Sequence, residues 1–216
     1  MNLEVRRERE KQERRESILD AAETVFFKKG YDRCSMEEIA REAQLSRALL
    51  YVYFKDKAAM LRAIGLRAVE NLRDRFAAAI AAHATGMEQI AALGLAYYEF
   101  SREQSDYFDV LTQSAGFSHL LTADELSEAL QRCGNEVMQL MVQALETGIA
   151  DGTLCPERVR DPLMTAFFLR GAVHGVIMET RLPSPSLAGL PEQSRLIRYT
   201  LDMLSHGMRA DSPPGR

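Results

Sequence analysis

The stretch SMEEIAREAQLSRALLYVYFKDK, residues 35–57, decides how the N-terminal part of this 216-residue chain folds. Ser35 and Glu38 have the spacing of a capping box, which predicts the start of a short helix. After a brief break, Ser46 can cap a second helix that ends near Phe54. Two short helices joined so tightly have the geometry of a helix-turn-helix, whose second helix enters the major groove of DNA.

The apolar residues of this stretch are spaced to form a small core between the two helices. The set consists of Ile39, Ala40, Ala43, Leu45 and Leu50. It would pack against Phe26 of the preceding helix, and its small alanines would let the two helices approach closely. Short capped helices are common, so periodicity alone leaves a second interpretation open, an αα-hairpin inside an ordinary helical bundle.

Helical periodicity also dominates the rest of the chain, which predicts an all-α protein of about nine helices. The first helix should run from about Arg14 to Lys29, where Gly30 follows as a stop, and its charged lead-in either extends it or frays. Asp56 can cap a long helix that continues beyond Phe76. Five further helices are predicted at about 87–103, 106–116, 123–150, 160–181 and 192–208.

Composition places the chain among soluble proteins of one or two domains. Hydrophobic residues make up 46% of it, and the formal net charge is −4. The three cysteines, Cys34, Cys133 and Cys155, form no CxxC pair, which argues against a disulfide framework and a zinc site and favours a reducing cytoplasm. The longest small apolar run, residues 76–82, is far shorter than the roughly 20 residues that cross a bilayer.

Residues 14–64 closely resemble the DNA-binding signature of TetR-type transcriptional regulators. The resemblance is carried by SMEEIAREAQLSRALLYVYFKDKAAML, residues 35–61, and by the preceding FFKKGYDRCS, residues 26–35. It implies a homodimer that binds a palindromic double-stranded DNA operator. It also implies release of that operator, as by a repressor, when a small apolar or amphipathic effector enters the C-terminal domain. Neither a cofactor nor an enzymatic activity is expected.

The resemblance carries roles over to individual residues of the motif. The expected DNA contacts are Arg47, Ala48 and Tyr51 to base edges, Ser35, Tyr53 and Lys57 to phosphates, and Arg41 to either. Chemically, a guanidinium can bind guanine bidentately and a methyl group can pack on thymine. Gln44 stands where the family's turn usually has glycine, so it either adopts a left-handed conformation or bends the turn differently.

We expect a helix-turn-helix domain over residues 1–57, a ligand-binding and dimerisation domain over residues 58–209, and a disordered tail over residues 210–216. The first segment carries a net charge of +1, and residues 58–216 carry −5. The acidity of the whole chain therefore belongs to its C-terminal part and does not exclude DNA as a partner.

The C-terminal part contains no recognisable catalytic or metal-binding motif, and a pocket among its middle helices is implied by the resemblance. The candidate ligand contacts are Tyr98, Phe108, Met138, Met141, Phe168, Arg170 and His174. Methionine and aromatic side chains suit an adaptable apolar cavity. The last two helices are the expected dimer interface, with the pair Gly171 and Gly175 and a stripe formed by Leu196, Ile197, Leu201 and Leu204.

Two other functions remain open at this point. One is a helix-turn-helix protein that is controlled by a protein partner rather than by a small molecule. The other is an enzyme or ligand carrier built on a helical bundle, in which the N-terminal resemblance is accidental.

Overall fold

The computed structural model describes residues 3–112, 124–181 and 191–210 of the chain. Within these ranges every named element is a helix, which confirms the predicted all-α class. The helices are α1 (Leu3–Lys29), α2 (Met36–Glu42), α3 (Arg47–Tyr53), α4 (Lys57–Ala81), α5 (Gly86–Glu103), α6 (Ser105–Thr112), α7 (Glu125–Ala150), α8 (Pro162–Arg181) and α9 (Gln193–Met208). The predicted continuation of the sixth helix over 113–116 and the tail beyond residue 210 lie outside the described residues.

Local capping chemistry sets the ends of the first four helices. Gly30 follows α1 with a φ of +82°, and its N–H donates to the carbonyl of Phe26 at 2.7 Å. The Ser35 capping box begins α2, the Ser46 hydroxyl accepts from the α3 backbone, and Asp56 accepts from Ala59 N at 2.7 Å. The predicted caps are confirmed.

Helix α1 begins at Leu3 rather than near Arg14, so the charged lead-in extends the helix. Ion pairs at i,i+4 spacing support this extension, Arg6 with Glu10 and Arg9 with Glu13, each at 2.8 Å. Such pairs are worth only a few tenths of a kcal/mol each, but several along one helix add to a favourable local propensity. The side chains of this segment are exposed.

Contacts divide the chain into two compact units, and the break falls inside α4. The first unit consists of Met1–Ala68 with Asp109–Leu130, and the second of Val69–Phe108 with Gln131–Arg216. The sequence placed a domain boundary between residues 57 and 58. The first unit extends further because the start of α4 is buried in it at Met60 and Ile64.

Arg67 fastens this part of α4 to α1 within the first unit. Its guanidinium forms ion pairs with Glu16, Asp20 and Glu23, the last two at 2.9 Å. Burial alone would lower the pKa of Arg67, but the hydrogen bonds from these carboxylates raise it above its usual value. The arginine therefore stays charged where it is partly buried.

The second unit is held together by close helix packing and by the chain after α7. A Cβ on Gly86 would lie 2.0 Å from the backbone nitrogen of Gly148, so α5 and α7 touch backbone to backbone at this point. Thr153 O accepts from the backbone N–H of Ala210 at 3.1 Å. Ala210, which was expected to begin a disordered tail, is thus fixed by a hydrogen bond.

Candidate functional site

The helix-turn-helix of α2 and α3 is built on a tightly packed apolar core in the first unit. Ile39 and Leu50 are fully buried, and Ala40 and Phe26 are nearly so. Gln44 holds a φ of +54°, the left-handed alternative for the turn. This conformation allows the backbone N–H of Leu45 to donate to the carbonyl of Ala40 at 2.8 Å, which closes the turn.

The outer face of α3 presents charged, aromatic and apolar groups to solvent. Arg47 and Ala48 are exposed, and the Arg47 guanidinium lies 5.6 Å from the ring centre of Tyr51. Hydrogen bonding to Tyr51 raises the pKa of Arg47, so the guanidinium remains charged. Val52 is 75% exposed, and Leu49 also reaches the surface. These two apolar side chains belong to the same face, although no motif marked them as contacts.

The remaining predicted DNA contacts differ in how exposed they are and in whether their polar groups already have partners within the protein. Arg41 is exposed near the end of α2, whereas Tyr53 is half-buried at the end of α3. The Ser35 hydroxyl is engaged in the α2 cap, where it accepts from Glu38 N and donates to the Glu38 carboxylate at 3.2 Å. A phosphate contact through Ser35 therefore requires its hydroxyl to change partners.

The carboxylate of Glu38 joins the α2 cap to the end of α1. It accepts from Lys29 Nζ at 2.6 Å and from the backbone N–H of Ser35 at 2.9 Å. These hydrogen bonds lower the pKa of Glu38 to about 2. The carboxylate of the capping box is thus neutralised by a lysine of the same unit.

Lys57 is tied to the loop that connects α1 and α2. Its ammonium donates to the carbonyls of Tyr31 and Cys34 at 2.9 and 2.7 Å, and it lies 4.7 Å from the ring centre of Tyr31. An ammonium has three donors, so one N–H is left for a phosphate. The sequence predicted a phosphate contact and missed this structural role, because the two carbonyls lie more than 20 residues earlier.

The second unit encloses a narrow apolar cavity of about 50 Å³. Its wall is formed by Leu72, Phe76, Ile90, Ala91, Leu93, Gly94, Tyr97, Val137, Met141, Leu169, Arg170, Val173, Leu201, Leu204, Ser205 and Met208. Gly94 sets the width at one point, because a Cβ there would lie 2.4 Å from Leu201 Cδ2. Of the predicted ligand contacts, Met141 and Arg170 line this cavity.

The other predicted ligand contacts do not line the cavity. Phe168 is 64% exposed, because it projects from the outer side of α8. Phe108 and Met138 are buried and serve as core. Tyr98 is buried but does not line the cavity, whereas its neighbour Tyr97 does. Adjacent residues of a helix point in directions about 100° apart, so only one of the two tyrosines faces the cavity. The sequence alone did not show which one.

A hydrogen-bonded pair, Tyr97 and His174, stands at the polar part of the wall. The Tyr97 hydroxyl lies 3.0 Å from His174 Nδ1, and both rings contact Phe108. Burial raises the pKa of Tyr97 to about 12, and burial together with Arg170 lowers the pKa of His174. The pair is therefore uncharged at neutral pH. Tyr97 lines the cavity, whereas His174 contacts Tyr97 without lining the cavity itself.

Helices α8 and α9 also carry exposed apolar faces. The exposed side chains are Met164, Phe167 and Phe168 on α8, and Tyr199 and Met203 on α9. Of the stripe predicted for an interface on α9, Ile197 is buried in the chain itself, Leu201 and Leu204 line the cavity, and Leu196 is half-buried. The interface itself stays a prediction. A Cβ added to Gly171 or Gly175 would meet no described atom within 4 Å, so these glycines leave the α8 surface open.

Residues 18–64 match the family model described as bacterial regulatory proteins, tetR family. This N-terminal segment is similar to the DNA-binding domain of TetR-family regulators. The match confirms the predicted resemblance over the helix-turn-helix segment, which begins in α1 and ends in α4. The individual base, phosphate and ligand contacts stay predictions.

Longer matches extend the similarity to transcriptional regulators beyond residues 18–64. YfiR of Bacillus subtilis, an uncharacterised transcriptional regulator, is 26% identical over 198 residues, 88% of this chain and 93% of YfiR. The transcriptional activator FasR of Mycolicibacterium smegmatis is 27% identical over 129 residues, and the match spans only 59% of FasR. AibR, solved with isovaleryl coenzyme A and operator DNA, has a TM-score of 0.65 at 20% identity and covers 88% of this chain and 97% of AibR.

The described residues contain neither a candidate metal site nor a candidate transmembrane helix. No group of three or more histidine, cysteine or carboxylate side chains in those ranges could hold a metal ion. None of the helices described is both long and apolar enough to span a membrane.

Proposed function

We propose that this chain is a ligand-responsive transcriptional regulator that binds a palindromic operator as a homodimer. The observation that carries the proposal is the exposed face of α3 on its buried core, in a segment that matches the TetR family model. The proposal includes release of the operator by a small apolar or amphipathic effector, which is the behaviour of a repressor. It includes no catalytic step.

In this proposal α3 reads base edges. Arg47 binds guanine, Ala48 packs on a thymine methyl group, and Tyr51 orients the guanidinium that lies over its ring. Val52 and Leu49 add apolar contact area beside these groups. Lys57, Tyr53, Ser35 and Arg41 contact phosphates, and such contacts fix the position of the domain without reading sequence.

The exposed faces of α8 and α9 support dimerisation. Each copy would cover the apolar side chains of the other, and the same surface would serve both copies, as two-fold symmetry requires. Gly171 and Gly175 carry no side chain, so a second backbone can approach α8 closely there. A dimer would place two reading helices about 34–36 Å apart, the spacing of successive major grooves on one side of DNA.

The effector would enter the cavity of the second unit. At about 50 Å³ the cavity is far smaller than the roughly 300–1,000 Å³ of typical ligand pockets, so binding must widen it. Met141 and Met208 in its wall are unbranched and can adopt new rotamers at low cost. An effector that prefers a widened form would shift the population toward a dimer whose reading helices no longer fit the operator. AibR, which shares the fold, was solved with an acyl coenzyme A and operator DNA.

Selection of DNA from a random pool tests the proposal. The wild-type protein should enrich a palindrome whose half-sites are centred about 10 base pairs apart. Gel filtration of the complex should show two protein copies per duplex. Absence of any enriched sequence at low salt would contradict DNA binding, and an enriched site without two-fold symmetry would contradict the dimer.

A further inference from the structure

Among the described residues, the cavity wall carries one charged group, and none of the ion pairs in those ranges involves it. Arg170 lies among apolar lining residues, and the wall contains no aspartate or glutamate among the described residues. Its guanidinium forms no ion pair in the described ranges and lies 5.0 Å from the ring centre of Phe167. Arg170 is exposed, and its charge is close enough to Tyr97 and His174 to act on the pKa of both groups, so we take the guanidinium to stand at the mouth of the cavity.

The neighbouring polar pair does not supply the missing negative charge. Tyr97 and His174 share one hydrogen bond, and both are neutral at neutral pH because burial raises one pKa and lowers the other. A phenol and a neutral imidazole hold two hydrogens, and their mutual bond uses one of them. Whichever ring nitrogen is protonated, the pair therefore keeps one hydrogen that it can donate.

The other residues of the cavity wall indicate that the part of a ligand inside the cavity is apolar. Apart from Tyr97, Arg170 and Ser205, the lining side chains are hydrocarbon, thioether or glycine. An alkylammonium would be repelled by Arg170, and a neutral alkyl ligand would leave the guanidinium without a partner when it covers the mouth. A carboxylate instead matches the planar guanidinium with two parallel hydrogen bonds.

We propose that the effector is an amphiphilic carboxylate, whose anionic head binds Arg170 and whose alkyl chain occupies the widened cavity. This inference rests on the proposed function, because it assigns the cavity as the effector site. The shared chemistry, an acyl chain with an anionic end, occurs in free carboxylates and in acyl thioesters of coenzyme A. We favour the free acid, because its carboxylate is attached directly to the alkyl chain and Arg170 lies directly beside the apolar lining.

Binding of octanoate tests this assignment against ligands of equal chain length. Octan-1-ol, octylammonium and octanoyl coenzyme A serve as comparisons, measured by calorimetry and by thermal shift with the full-length protein. We expect octanoate to bind about tenfold or more tightly than the alcohol, since a charge-assisted pair contributes more than a neutral hydrogen bond. Equal affinity of octanoate and octan-1-ol would overturn the proposal, and tighter binding of octanoyl coenzyme A would replace the free acid with the thioester.

Arg170→Gln should abolish the preference for octanoate while leaving weak binding of the alcohol. Arg132→Gln is the matched control, because Arg132 is an exposed arginine of α7 that does not line the cavity. Melting of both variants without ligand shows that they fold. A preference that survives in Arg170→Gln would exclude Arg170 as the head-group site.

Operator release separates this inference from the function on which it rests. Octanoate that binds through Arg170 without changing operator affinity would retain the site and contradict its role as effector. Operator release by a neutral apolar compound, equal in wild type and Arg170→Gln, would retain the regulator and contradict the carboxylate.

Discussion

Arg47 and Lys57 are both basic, but they are anchored differently, and this difference separates their expected effects. The Arg47 guanidinium lies over the Tyr51 ring on the exposed face of α3. The Lys57 ammonium instead donates to two backbone carbonyls of the loop before α2. Replacement of the first removes a group that is free to bind a base, whereas replacement of the second also removes support for the loop.

Arg47→Ala should weaken binding to the selected operator by about 1–3 kcal/mol and relax base preference at one position of each half-site. The reason is loss of a bidentate contact to a base edge, which discriminates among bases. Fluorescence anisotropy over a set of single-base operator variants measures both effects. Arg132→Ala is the control and should bind like the wild type. An equal loss of affinity for every operator variant would reassign Arg47 to a phosphate.

Lys57→Ala should weaken binding to all sequences alike and reduce the salt slope by about one. It should also lower the free energy of unfolding by about 1–3 kcal/mol, because two partly buried carbonyls lose their donor. Lys55→Ala is the matched control, since Lys55 is exposed and close in sequence. Urea unfolding and anisotropy at several salt concentrations give the two quantities. An unchanged unfolding midpoint would contradict the structural role.

At the scale of elements, the start of a helix was predictable where nearby residues cap it. Which face of a helix is buried was not predictable, because packing sets the rotation of the helix about its axis. Ser35, Ser46 and Asp56 cap helices through atoms three residues away, so spacing alone located those helix starts. Helix α9 has apolar residues on two sides, and only packing shows that Leu204 faces the cavity while Met203 faces solvent. Lys57 lies far in sequence from the two carbonyls to which it donates, so no local pattern predicted these hydrogen bonds.

The α2 cap should make stability depend on acid. Glu38 titrates near pH 2 in the folded chain and near its usual 4.5 when unfolded, so its contribution is complete above about pH 4.5 and declines toward pH 2. Glu38→Gln should therefore lower the melting temperature at pH 6, and the gap to wild type should narrow at pH 3. Glu37→Gln, which changes an exposed neighbour, is the control. A gap that stays constant with pH would contradict this assignment.

At the scale of the whole molecule, the two proposed activities belong to different compact units. The DNA-reading face belongs to the first compact unit, and the cavity and the open apolar faces of α8 and α9 belong to the second. The local net charge of the first 57 residues is +1, so DNA affinity must come from a few placed groups rather than from a general basic surface. The proposed dimer would double those groups.

Phe168→Asp should convert the dimer to a monomer and abolish operator binding at low protein concentration. The reason is the cost of burying an unpaired carboxylate in an apolar interface. Val52→Asp is the control, because Val52 is exposed on α3: it should remain dimeric and lose operator affinity. Sedimentation velocity measures the assembly state. A Phe168→Asp protein that remains fully dimeric would place the interface elsewhere.

Gly94 gives the chain a simple route to evolutionary change. A Cβ at this position would press on Leu201, so one added methyl group would narrow the effector cavity without altering α3. Descendants of this protein can therefore acquire a different effector range while they keep the same target genes. Conversely, changes confined to α3 can move the regulator to new promoters while it continues to respond to the same signal.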